Sequence, residues 1–320
     1  MRKITRRTLL AASAAFAVTP ALAQPAKVMT LVVPFPPGGS TDALARLLQS
    51  HLQTKLGRVV LVENKSGAAG SLGAAQVAKS APDGNTFLVT FDSHAVIPAI
   101  LEKPQLDVEQ DLMPVFLVGT SPYVIAANAS RPFKNFADIV AASKKEPGSI
   151  KYASVGIGTL GHLAMTMLAK QAGVEITHVP YRGGGPAMND ILSGNVDLFF
   201  EVIATAAPQV QSKHAFALLA TGNVRSPLLP DVPTTSELGY PGLNLTSWTG
   251  LAAAAGTPAP IVELLNKEAN VVLQSDKMTE LLAHLGIRPV GGSPAKMAER
   301  IAEEAKLYKG IISSRQISVQ

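Results

Sequence analysis

Two glycine-rich turns hold the residues best suited to chemistry. The first reads PPGGSTDA over residues 36–43. After Pro37, Gly38 and Gly39 let a ligand approach the chain closely. Ser40 or Thr41 can cap a following helix, with Asp42 in its first turn. Free N–H groups and the helix dipole favour an anion there, although the Asp42 charge already fills the favourable position. A capped helix without a ligand is the alternative. The second turn reads GIGTLGH over residues 156–162. It has the same parts: Gly156, Ile157, Gly158 and Thr159 ahead of a helix, with His162 on the first turn.

Gly156-x-Gly158-x-x-Gly161 also matches the dinucleotide fingerprint, which needs an acid closing the next strand to hold a ribose. The candidate acid, Glu175, precedes the strand expected at 176–179, and Pro180, Tyr181 and Arg182 follow it. The fingerprint fails in this context, though Arg182 leaves an opening for a phosphorylated ribose. His162 could act as a base, a ligand donor or a local hydrogen-bonding group. His94, His162 and His178 form no H-x-x-x-H pair, so a metal is not expected. No G-x-S-x-G, GxxxxGK[ST] or HExxH occurs, and the chain lacks the central residues of hydrolases and zinc proteases.

A third glycine run, 183–185, opens VPYRGGGPAMNDILSGNVDLFFEV. Arg182 is either a cationic guard near a carboxylate or a surface residue paired with an acid such as Asp190. Asp197 and Glu201 lie on a strand whose carboxyl end should face a cleft, where ligands gather in open α/β sheets. Glu201 could hold a ligand amine or hydroxyl, exclude a second carboxylate, or be a solvated acid. Ser93, placed at the end of another strand, offers a hydroxyl.

Short apolar runs alternate with amphipathic stretches, which predicts an α/β architecture. Strands are expected at 28–33, 59–62, 86–90, near 124, and at 151–155, 176–179, 196–200 and 216–220. Helices are expected after each glycine turn, at 74–79 and 137–145, and through the tail from 259. Two strand–turn–helix units in two lobes imply a cleft lined by facing helix N-termini.

Residues 1–23 form a basic start, an apolar run over 9–18 and Ala21-Leu22-Ala23, a secretory leader with cleavage after Ala23. The run is too short to span a bilayer. Arg6-Arg7 fits either a Sec or a twin-arginine leader. Four of the 28 basic residues lie in the leader and none of the 23 acids does, leaving 24 against 23 and a charge of +1. That balance offers no basis for a nucleic-acid partner. With no cysteine in the chain, disulfides, thiolate metal sites and a cysteine nucleophile are excluded.

Six blocks, "VPFPPGGSTD", "ENKSGAAGSLGAAQVAKSAPDGNT", "GIGTLGHLA", "VPYRGGGPAMNDILSGNVD", "LATGNVRSPLLPDVPTTSELGYPG" and "WTGLAAAAGTPAPIVELLN", resemble the Bug family. These are the extracytoplasmic solute receptors of tripartite tricarboxylate transporters. The resemblance implies a type II periplasmic-binding-protein fold of two α/β lobes joined by crossing strands, closing on a small carboxylate. It places the ligand's carboxylate on backbone amides, hydroxyls and water at residues 35–42 and 156–162, with Phe35 as an apolar wall. It also implies a monomeric periplasmic receptor without cofactor, not an enzyme, that delivers its solute to membrane subunits. The expected division is 27–125 with 228–320 as the first lobe and 126–227 as the second. Ile97, Thr166 and Phe91-Asp92 depart from the family's usual residues, which bears on the ligand. An exported Rossmann-type oxidoreductase using 156–161, and a carboxylate sensor acting through a partner, are the competing readings.

Overall fold

The chain alternates strand and helix from Met29 onward. A computed structural model describes residues 28–100, 107–240 and 242–315. The expected leader and the side chain of Ile97 lie outside the described residues. In order, the elements of the first run are β1 (Met29–Val33), α1 (Ser40–Leu56), β2 (Val60–Asn64), α2 (Ser71–Ala78), β3 (Thr86–Phe91), α3 (Ser93–Ile100), α4 (Val108–Asp111) and β4 (Leu112–Asn128). The middle run continues with α5 (Phe136–Lys145), β5 (Lys151–Ser154), α6 (Leu160–Ala172), β6 (Thr177–Pro180), α7 (Gly184–Leu192), β7 (Leu198–Val202), α8 (Ile203–Gln211) and β8 (Ala215–Ala220). The last run holds β9 (Thr246–Ala254), α9 (Ala259–Leu273), α10 (Asp276–His284), β10 (Arg288–Pro289) and α11 (Pro294–Arg315).

The strands make two lobes that share one strand. In the first lobe β2, β1 and β3 pair in parallel, β9 runs antiparallel beside β3, and β4 closes the row. In the second, β4 pairs antiparallel with β7 and β8, and β5 and β6 extend the row in parallel from β7. The β4 strand therefore serves both: its first part lies against β9 and its second part, from Tyr123, against β7 and β8. The link from β8 to β9 crosses beside it, where Thr221 N–H donates to Tyr123 C=O (2.8 Å).

Burial on both faces explains the composition of these strands. In β4, Tyr123, Ile125 and Ala127 face one core of the second lobe, while Val124 and Ala126 face the other. Helix α1 seats Leu44, Leu48 and Leu52 against Leu31 and Val33, each such leucine worth roughly 1.5–3 kcal/mol. It stops at Gly57, whose left-handed backbone (φ 61°) sends its N–H back to Gln53 C=O. Helix α11 binds the two halves together: Met297 and Ile301 pack in a first-lobe core, and Tyr308 in the second-lobe core.

The structure departs from the sequence reading in four places. The strand expected near 124 begins at Leu112, and bulges at Pro114/Phe116 and Leu117/Gly119 carry it past its turn-like residues. Strand β9, rich in alanine and glycine, has low intrinsic β propensity and is held between β3 and β4. Ser93 opens helix α3 instead of ending a strand, and α8 forms around Pro208. Among the described residues no helix is long and apolar enough to cross a membrane.

The β4–β9 ladder leaves no space at Gly250, where an added Cβ would lie 2.6 Å from Phe116 C=O. Gly250→Ala is expected to destabilise the protein by about 1–3 kcal/mol, read as a lowered melting temperature. An unchanged melting temperature would show that the ladder yields at this point.

Candidate ligand-binding site

The first glycine turn ends at Gly39, whose extended backbone makes it the N-cap of α1 without a side-chain cap. Ser40 and Thr41 are thus the first helical residues and do not cap. Asp42 reaches back instead, accepting from Gly38 N–H (3.1 Å), Arg46 Nε (2.9 Å) and Asn64 Nδ2 (3.0 Å). Burial raises its pKa, but these bonds outweigh burial and hold it below the usual carboxylate range. The carboxylate is thereby neutralised from the side. The N–H groups of Ser40 and Thr41 keep no intrahelical acceptor, as at any helix start.

These residues open on a cleft of about 540 Å³ between the lobes. One wall is 35–41 of the first lobe. The facing wall is the third glycine run with Pro186, Met188 and Asn189 at the start of α7. Gly183 there has φ 150°, and a Cβ would meet Pro36 Cδ at 3.1 Å, so the lobes approach each other at this point. The floor is built by the crossing strands. Gly119, Ser121 and Tyr123 share one face of β4, and Ser247 lies directly opposite Ser121 in β9. Phe91 fills the side, 4.6 Å from the Phe35 ring and 4.5 Å from His94 between centroids.

Asp92 and Glu201 stand at the back of this cleft. Asp92 accepts from Ser93 Oγ (2.9 Å) and from the Tyr123 hydroxyl (3.1 Å). Burial pushes its carboxyl up, against the pull of these bonds. Burial also raises Glu201 to about 8, with the nearby Asp92 adding to the shift. Among the described residues, the cleft lining carries no lysine or arginine.

The second glycine turn is built differently. Thr159 caps α6, and its Oγ accepts from His162 N–H (3.4 Å). Leu160 N–H donates to Ser93 Oγ across the lobes (3.0 Å), Gly156 N–H to Ser154 Oγ (3.2 Å) and Gly158 N–H to His162 Nδ1 (3.4 Å). Most of its amides are thus engaged within the protein. Gly156, Ile157 and Gly158 line a smaller cavity of about 330 Å³ with Gly67, Ala68, Gly70, Tyr181 and Arg182, and Phe35 and Val155 border both spaces. His162 stacks on His178 (4.0 Å), which stacks on Tyr152 (4.8 Å).

The expected site residues are therefore distributed. Phe35, Pro37, Gly38, Gly39, Ser40, Thr41, Ser93 and Glu201 line the larger space; Gly156, Ile157, Gly158 and Tyr181 line the smaller. Asp42, Thr159 and His162 lie behind the two turns and hold them. Arg182 is exposed, and Asp190 is bound instead by the Tyr181 hydroxyl (2.5 Å) and Asn195 Nδ2 (3.2 Å). Ser121, Tyr123 and Ser247 escaped sequence reasoning because their positions depend on β4–β9 pairing. Gly183–Gly185 were legible as a turn but not as a wall of the cleft.

Residues 44–317 match the family described as the tripartite tricarboxylate transporter family receptor. Among solved structures, the periplasmic binding protein BugD is 33% identical with a TM-score of 0.85, over 90% of this chain and 97% of that one. An R. palustris protein with adipate is 32% identical, with a TM-score of 0.86 over 91% and 97%. MatC from Rhodopseudomonas palustris with bound malate is 32% identical, with a TM-score of 0.85 over 90% and 99%. The chain belongs to this family of periplasmic solute receptors and has its two-lobed periplasmic-binding-protein fold.

The stacked histidines carry a pH signature. Burial lowers both to about 4, with His162 adding to the effect on His178. Groups depressed in this way are neutral when folded, so their contribution is complete above about pH 6.5 and is lost as pH falls towards 4. Melting temperature should decline across that window, and His178→Gln should flatten the decline. Parallel curves for the two proteins would remove the histidine pair as its source.

Proposed function

We propose that this protein captures a small carboxylate in the interlobe cleft and delivers it to the membrane subunits of a tripartite tricarboxylate-type transporter. The observation that carries this reading is the start of α1, whose unpaired amides at Ser40 and Thr41 face a cleft lined, among the described residues, by no lysine or arginine. An anion in such a space is held by backbone dipoles, as at other helix N-termini. The start of α7 at Gly184 and Gly185 faces it from the other lobe, so one guest can engage both. The relatives bound to adipate and malate support a carboxylate guest.

In this reading Phe35, Pro37, Gly38, Gly39, Ser40, Thr41 and Ser93 contact the guest, and Glu201 faces its far end. Gly156–Thr159 and Tyr181 form the adjoining part of the cleft, and Asp42 and His162 position the turns. The lobes divide as 27–125 with 228–320 against 126–227, and the β4 and 221–246 crossings act as the hinge for closure of the kind periplasmic binding proteins undergo. The protein works as a monomeric receptor, not a catalyst, and reaches the periplasm through a leader removed after Ala23.

Ser40→Pro tests the backbone site directly. Proline suits the first helical position, and the extended Gly39 tolerates it, so only the N–H and hydroxyl are lost. Calorimetric titration with a panel of mono-, di- and tricarboxylates should show binding to the natural protein. Ser40→Pro should weaken it by about tenfold or more while Ser40→Ala, which keeps the amide, weakens it less. Equal binding by all three proteins would remove the α1 terminus from the site. Binding of none of the acids, with nicotinamide or flavin bound instead, would replace the receptor with an oxidoreductase.

A further inference from the structure

Among the described residues, the back of the cleft holds two buried acids and no lysine or arginine. Asp92 is 0% and Glu201 7% exposed, and no ion pair forms at either among the described residues. Glu201 Oε1 accepts from Val202 N–H (3.0 Å), while Oε2 is buried without a partner. Ser121 Oγ, on the floor of the same cleft, is also buried without a partner. Buried carboxylates ordinarily meet a cation or a full set of donors. Here the protein withholds the cation and leaves Glu201 Oε2 and Ser121 Oγ, both on residues that line the cleft, without partners.

The surrounding elements do not supply the missing charge. Strand β3 runs into Asp92, β4 brings Tyr123, and β9 brings Ser247 and Trp248. Trp248 Nε1 donates to Glu304 (2.5 Å) on α11, and that acid already holds Arg300 (2.5 Å). Helix α10 contributes His284 at the border of the cleft. Tyr308 and Glu304, both raised by burial and further by the negative charge of Asp92, add no positive charge.

We propose that the cleft selects an amino-substituted monocarboxylate, its carboxylate on the α1 and α7 termini and its ammonium on Glu201, Ser121 and Asp92. The proposal rests on the receptor reading above and narrows its ligand. An ammonium brings three donors and no acceptor, which suits Glu201 Oε2, Ser121 Oγ and the Asp92 carboxylate. A second carboxylate in that place would sit beside like charge in a buried site once Glu201 ionises as pH rises towards 8, which disfavours it there. The raised pKa of Glu201, about 8, belongs to the empty cleft. An ammonium guest favours the ionised form, so the proton leaves Glu201 as the guest arrives, and affinity grows as pH rises towards 8.

The test is calorimetric titration of the full mature chain with β-alanine and γ-aminobutyrate against malonate and succinate, the acids of equal carbon number, at about pH 6 and about pH 8. The amino acids should bind about tenfold or more tighter than the diacids, with the margin larger at the higher pH. Glu201→Gln should erase that margin, and Ser121→Ala should reduce it in a second, milder variant. Tighter binding of the diacids, or an unchanged margin in both variants, overturns the proposal and leaves the receptor reading standing. Failure of these ligands together with the wider panel of mono-, di- and tricarboxylates overturns the receptor reading as well, so the two failures are told apart.

Discussion

The antiparallel ladder between β4 and β9 is the constraint on which the rest of the molecule depends. It joins the two lobes, lays the floor of the cleft and fixes how far apart the walls stand. Its cross-strand partners Ser121 and Ser247 lie opposite each other on that floor. The close packing at Gly250 and Gly119 admits no side chain. Such a ladder fixes register by its alternation, because a slip of one residue would turn the cleft face into the core. Tyr123 makes the point: its ring belongs to the second-lobe core while its hydroxyl reaches Asp92 of the first lobe.

The proposed anion site uses no salt bridge. Its positive character comes from peptide dipoles at helix starts, which are fixed in place by the fold and need no side-chain ordering. Asp42 illustrates the care this takes. An acid in the first turn of α1 would compete with a guest, but Arg46, Asn64 and Gly38 hold it to the side. The second turn and helix start spend the amides of Gly156, Gly158 and Leu160 on Ser154, His162 and Ser93. Two turns with nearly the same composition therefore have different duties, one open to the cleft and one tied into the protein.

Much of the fold was legible because local pattern and tertiary burial agree. The helices after both glycine turns, the parallel strands β1, β2, β3, β5 and β6, and the helical tail all follow apolar periodicity. What was not legible depends on long-range pairing. Strand β9 is mostly alanine and glycine near its end, and only its place between β3 and β4 makes it a strand. The start of β4 reads as turns because of Pro114 and Gly119, which bulges absorb. In the site, the glycines and hydroxyls of 35–41 were readable from sequence. Glu201 was readable as a strand-end acid, but its burial and its coupling to Asp92 come from strands that meet only in the folded chain. The pairing of the first turn with the third, across Pro36 and Gly183, had no sequence signature.

The insertion of β9 also orders assembly in time. The second lobe's strands from Tyr123 to Ala220 lie in one continuous stretch, so even its pairing of Val124 with Ala220 spans less chain than the first lobe's pairing of Phe91 with Thr249. The first lobe is split: β3 ends at Phe91, yet its neighbour begins at Thr246, and the helix that covers both runs to Arg315. Contacts of such separation are slow to form because loop closure comes before the reward. A chain emerging from its N-terminus holds the first three strands with an unmatched edge at β3 until nearly all of the polypeptide is available. Ligand-binding competence is therefore a late event in the life of the molecule, and the unfinished edge is where a holding chaperone would be most needed.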